Sequence, residues 1–201
     1  MSEPGPSPVT WAYRSRPLSP ESPSGDAHVA EPFPEGMLLA VIDGLGHGAE
    51  AAGASQLAVG VLTARAAANP ADLVRDCHAA LRGSRGVAML AVSLSFAEAT
   101  ARWVGIGNVE GWHFTAQTRV ALISSAGVVG YQISPLHCRQ ARLAPGDLFA
   151  LATDGISPAF IDDVRVDGDP DEMANAALTR YARPNDDAHV LIARYDQRGS
   201  Q

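Results

Sequence analysis

Residues 37–48, MLLAVIDGLGHG, run six apolar residues straight into Asp43-Gly44 and then through Gly46 and Gly48. A short continuous apolar run that stops at Asp-Gly reads as a buried strand ending in a turn. A second run, residues 148–153 (LFALAT), stops the same way at Asp154-Gly155. Between and around them the pattern changes several times. Residues 9–16 alternate as a strand, residues 17–25 are rich in proline and turn residues, and residues 26–33 form a second strand. The Ala- and Leu-rich stretch 49–68 reads as a long buried helix. Asn69-Pro70 ends it and starts another helix over 71–82, closed by Gly83. Strand-like runs follow at 87–97, 101–106, 111–115, 120–124 and around Arg139. Residues 170–182 read as a helix and residues 188–195 as a closing strand. Strands cluster instead of alternating with helices, so the order favours an α+β layered architecture over a doubly wound parallel sheet.

The chain has 201 residues, 46% of them hydrophobic and 18% charged, with a formal net charge of −7. That is a globular composition with room for one substantial core. We expect a disordered tail over residues 1–8 and a single domain over 9–201. The acidic balance argues against nucleic-acid binding. The 49–68 stretch, interrupted by Glu50, Gln56 and Arg65, is too polar to span a membrane. No targeting segment is visible at the start, so a cytoplasmic protein is expected. The two cysteines, Cys77 and Cys138, form no CxxC pair and are expected to be reduced thiols.

Four carboxylates share one local design. Asp26 follows Ser24-Gly25, Asp43 and Asp154 each end an apolar strand before a glycine, and Asp186, doubled by Asp187, precedes the last strand. A carboxylate at the end of an apolar strand lies near low-dielectric core, where an unpaired charge is unfavourable. Several of them gathered together repel one another. A divalent cation removes both problems, and oxygen-only ligands select hard ions such as Mg²⁺ and Mn²⁺. One Asp-Gly alone is an ordinary turn; two, each after an apolar run, with an Asp-Asp pair before a third strand, favour a metal site. The glycine-rich 43–48 loop leads into a helix but lacks the Lys-Ser/Thr of a phosphate-binding Walker loop.

These motifs, in order, resemble the metal-dependent type 2C (PP2C) protein phosphatases, in particular their bacterial SpoIIE-like branch. Gly25-Asp26 matches an early Gly-Asp, Asp43 through Gly48 matches Asp-Gly-x-Gly-His-Gly, and Gly105 through Asn108 matches Gly-x-Gly-Asn. Thr153-Asp154-Gly155 matches a late Thr-Asp-Gly, and Asn185-Asp186-Asp187 a terminal acidic pattern. The resemblance implies a layered α-β-β-α sandwich of two central, mainly antiparallel sheets flanked by helices. It also implies a protein serine/threonine phosphatase with two Mn²⁺ or Mg²⁺ ions in a cleft between the sheets. Asp43 is then expected to bridge the ions, the Gly44 carbonyl to bind one, Asp154 and Asp186 to hold the other, and Asp26 to assist directly or through water. Hydrolysis would proceed by an activated water, without a covalent phosphoenzyme.

Two positions depart from the family pattern. His189 stands where the family has threonine and reads as structural. No arginine is securely assigned to the substrate phosphate, although Arg14 and Arg16 lie on the strand before Asp26. His47 reads as a histidine that orients the loop, ahead of a general acid. The chain resembles the short, free-standing RsbX-type phosphatases of the stressosome. The expected partner is accordingly a phosphorylated STAS-domain protein, an anti-sigma antagonist or stressosome scaffold, in bacterial stress and sigma-factor signalling. The alternatives are a catalytically weak phosphatase-like binding module and a small-molecule phosphohydrolase.

Overall fold

The computed structural model describes residues 7–20 and 22–196. Of the expected tail, residues 1–6 lie outside the described residues, while the Pro8 carbonyl accepts the backbone N–H of Asp196. The architecture follows from β3 (Gly36–Gly44) and β4 (Val87–Ser95), which pair antiparallel and are buried on nearly every residue. Successive strand side chains point to opposite faces, so a doubly buried pair needs a layer on each side. Leu38, Ala40, Ile42, Met89 and Ala91 pack toward helices, and Met37, Leu39, Val41, Leu90 and Val92 toward a second sheet.

The first sheet is completed by β2 (Asp26–Phe33), β5 (Thr100–Ile106) and β10 (Arg139–Arg142), in the order β10-β5-β4-β3-β2. The second contains β1 (Val9–Arg16), β6 (Glu110–Phe114), β7 (Arg119–Ala121), β11 (Leu148–Ala152) and β12 (Ala188–Tyr195), in the order β1-β12-β11-β6-β7. All strand pairs in both sheets are antiparallel. Helices α1 (Ala49–Ala64) and α2 (Pro70–Ala80) cover the first sheet. Helix α3 (Pro170–Tyr181) and a 3-10 helix (Pro158–Asp163) cover the second, over Leu148, Ala150, Val190 and Ile192. The expected α-β-β-α sandwich is therefore the fold. A small hairpin, β8 (Gly127–Val128) with β9 (Gln132–Ile133), has no counterpart in the sequence reading.

Helix α1 departs from expectation in two ways. It stops at Ala64, where the N–H of Arg65 bonds back to the Leu62 carbonyl, instead of running to residue 68. It is also buried on one face only, through Ala51, Ala54, Ser55, Ala58 and Leu62, with Leu57 exposed. The small residues on that face bring the helix backbone onto the sheet. A Cβ added at Gly44 would run into the Ala51 carbonyl and lie 2.7 Å from Ser55 Oγ. Among the described residues no helix is long and apolar enough to cross a membrane.

Candidate metal centre

The two sheets bring the ends of β2, β3, β11 and β12 to one end of the sandwich. On the first sheet Asp26 stands directly opposite Asp43 in the β2–β3 register. On the second, Thr153 and Asp154 leave β11 where Asp186 and Asp187 lead into β12. Thr153 joins the sheets: its Oγ1 donates to Asp26 Oδ2 at 2.7 Å and accepts the backbone N–H of His189 at 3.0 Å. The Asn108 side-chain amide donates to Asp154 Oδ2. Asp186 Oδ1 accepts the backbone N–H of Asp187 at 3.0 Å.

The electrostatics show that these groups share one field. Burial, then the charges of Asp43, Asp187 and Asp154, push the Asp26 carboxyl up to about 8 against the pull of its Thr153 hydrogen bond. Burial, then Asp154, Asp186 and Asp187, push Asp43 up to about 7. Asp154 is raised by burial and by Asp186, partly offset by the Asn108 hydrogen bond and by Arg183. Each rise states that removing a proton here meets low dielectric and like charge. Among the described residues no three His, Cys, Asp or Glu side chains close on one point as a ready chelate. Three of the carboxylates instead rest on Thr153, Asn108 and a backbone N–H. The donor set is all oxygen and over-supplied with negative charge, which fits hard divalent cations.

A family model described as Stage II sporulation protein E (SpoIIE) matches residues 34–201. The chain belongs to the SpoIIE family. It is a SpoIIE-like, PP2C-type protein serine/threonine phosphatase. No curated protein sequence matches the chain. A solved structure from work on the bacterial stressosome, as a modular system adapted to control secondary messenger signaling, is 25% identical with a TM-score of 0.85. The match covers 92% of this chain and 99% of the other. RsbX in complex with magnesium is 18% identical at a TM-score of 0.83, covering 92% and 94% of the two chains. The catalytic domain of the serine/threonine protein phosphatase PstP with two manganese ions is 17% identical at 0.72, covering 94% and 99%. The last two likenesses are of fold.

Within this SpoIIE-family domain the doubled acid splits its work. Asp187, 6% exposed, accepts the backbone N–H of Leu18 at 2.6 Å and of Gly25 at 2.7 Å, pinning the loop that leads into Asp26. Gly25 in turn accepts the Gly44 N–H at 3.0 Å and the Ser55 hydroxyl, which ties Gly44 and α1 to the same corner. A Cβ at Gly155 would overlap the Asp187 carbonyl, so only glycine lets β11 turn this close to β12.

His189 is 2% exposed, and neither ring nitrogen has a hydrogen-bond partner among the described residues. Burial and the nearby His28 push it down to about 3, so it is neutral. Its ring stacks on Tyr13 at 5.5 Å and lies 4.9 Å from His28, filling the open edge between β1 and β2. A packing role accounts for it. His47 is exposed and makes no hydrogen bond among the described residues, so it does not orient the loop as the sequence suggested. Arg14 is engaged with Asp171 on α3 at 2.8 Å, and Arg16 donates to the Arg183 carbonyl. Sequence reasoning missed Ser55 and Arg183. It quoted Asn108, Thr153 and Asp187 as motif letters without a role.

Proposed function

We propose that Asp26, Asp43, the Gly44 carbonyl, Asp154 and Asp186 hold two Mn²⁺ or Mg²⁺ ions. We further propose that the chain dephosphorylates serine or threonine on a folded STAS-domain protein in sigma-factor signalling. The observation that carries the reading is the gathering of four carboxylates from four strand ends into one field that raises Asp26 and Asp43. Divalent ions there supply Lewis-acid charge stabilisation to phosphoryl transfer and favour ionisation of the attacking water. The chain's own groups keep the donors in place. Thr153 orients Asp26, Asn108 orients Asp154, and Asp187 holds the 18–25 loop so that Gly25 and Gly44 stay in contact.

The partner reading is supported by the likeness to the stressosome-associated structure and to RsbX. Phosphate looks alike on every substrate, so discrimination needs contacts away from the ions. Two segments offer them: residues 15–25, tied to Asp187 beside the cluster, and residues 157–170, which start just after Asp154-Gly155. A folded phospho-STAS protein should therefore be hydrolysed with kcat/KM roughly a hundredfold above a peptide copied from its phosphosite, about 2.7 kcal/mol in barrier. The comparison is made at matched Mn²⁺, and unfolding the STAS protein should erase the advantage. Equal values for protein and peptide would refute docking and favour a broad-specificity or small-molecule phosphatase.

A further inference from the structure

The geometry points to Arg183 as the residue that receives the substrate phosphate at the rim of the centre, with Arg16 as the residue that positions it. The inference rests on the phosphatase reading above. It begins from charge. Four carboxylates would offset the charge of two divalent ions, and Asp187 adds a fifth negative charge to the same field, so the centre's long-range pull on a phosphate monoester dianion is weak. A nearby cation not already matched by an acid would strengthen it.

Few cations near the cluster meet that condition. Arg14 is matched by Asp171. Arg85, whose Nη1 would lie 2.6 Å from a Cβ on Gly46, hangs over the glycine-rich loop but is matched by Glu50. Arg183 has no acidic partner among the described residues, its side chain is exposed, and its positive charge is felt at Asp154. Its backbone is fastened at three points. The Arg183 N–H donates to the Gly155 carbonyl at 2.7 Å, its carbonyl accepts the Arg16 guanidinium, and the preceding residue bridges Ile156. Two of those partners, Gly155 and Ile156, directly follow Asp154. The residue is thus held beside a carboxylate of the centre with its guanidinium uncommitted, and a guanidinium fork matches phosphate oxygens in a bidentate manner.

The test is Arg183→Ala and Arg183→Lys in the Mn²⁺-loaded protein, with a phosphopeptide as substrate and orthophosphate as product inhibitor. A lost charge-assisted contact predicts a KM increase of roughly ten- to a hundredfold in Arg183→Ala. The orthophosphate inhibition constant should rise by the same factor, while kcat stays within about threefold. Arg183→Lys should fall between, because it keeps the charge and loses the fork. Because the Arg183 charge reaches Asp154, the Mn²⁺ activation midpoint should move by no more than about twofold, and the Tm should not move. Unchanged KM and phosphate inhibition would overturn the assignment. So would a shifted Mn²⁺ midpoint or Tm that accounts for the kinetic change. If the wild type fails to hydrolyse the phosphopeptide, the functional reading falls on its own. Calorimetric binding of orthophosphate then still decides Arg183: weaker binding in Arg183→Ala upholds it, and equal binding refutes it.

Discussion

Asp43→Ala is expected to lower kcat on a phosphopeptide by at least about a thousandfold, some 4 kcal/mol in barrier, with the fold intact. Asp43 lies next to the end of the buried strand β3 and faces Asp26 across the β2–β3 ladder. Its carboxyl is raised by burial and then by Asp154, Asp186 and Asp187, so it shares its field with the acids of the second sheet. Removing this donor removes charge that both proposed ions need. The same change relieves repulsion in the metal-free protein, so its Tm should be equal to that of the wild type or higher. Asp154→Ala and Asp186→Ala should do nearly as much to turnover. Retention of most of the turnover by Asp43→Ala, with normal Mn²⁺ binding, would show that the centre has been assigned to the wrong residues.

The metal-free protein should lose stability, on the order of 2 kcal/mol, as pH rises from about 6.5 to 8. Asp26 and Asp43 have folded values of about 8 and about 7, above the ordinary 3.8. The folded state then binds more protons than the unfolded state, and raising the pH favours unfolding. The histidines act in the opposite sense at lower pH. His189 is pushed down to about 3 and His28 is also lowered, so their contribution is lost as pH falls below about 6.5. The carboxylate effect is therefore clean only above that pH. Because bound cations require the ionised carboxylates, stabilisation by Mn²⁺ should be larger at pH 8 than at pH 6.5. Denaturant melts in chelator across this window read the slope, and Asp43→Asn should flatten it. A metal-free stability that is level or rising from pH 6.5 to 8 would contradict the clustered-carboxylate picture.

Much of this was legible in the chain. The bounds of β1, β2 and β12 follow from apolar patterning between turn residues, and Asp26, Asp43, Asp154 and Asp186 stand out because each sits at a strand margin. The end of α1 was not legible, since nothing between residues 64 and 68 is a helix breaker and the chain turns there through a backbone bond to Leu62. The two-residue strands β8 and β9 are too short to carry a period. The supporting shell was hidden for another reason. Thr153 meets Asp26 across 127 positions, Asn108 meets Asp154 across 46, and Asp187 meets Gly25 across 162. Local sequence does not show which of two adjacent aspartates turns toward the cluster and which toward the loop, and the fold decides it. The same holds for arginine, where residues 14 and 16 drew attention by position while an uncommitted guanidinium whose charge reaches Asp154 lies at 183.

The most direct measurement is hydrolysis of a phosphoserine peptide by the purified protein, first in excess chelator and then after Mn²⁺ is restored. The all-oxygen centre predicts no turnover in chelator, and recovery with Mn²⁺ that exceeds recovery with Ca²⁺, whose larger and looser coordination suits the site less well. Full turnover in excess chelator would contradict the metal centre and the function built on it.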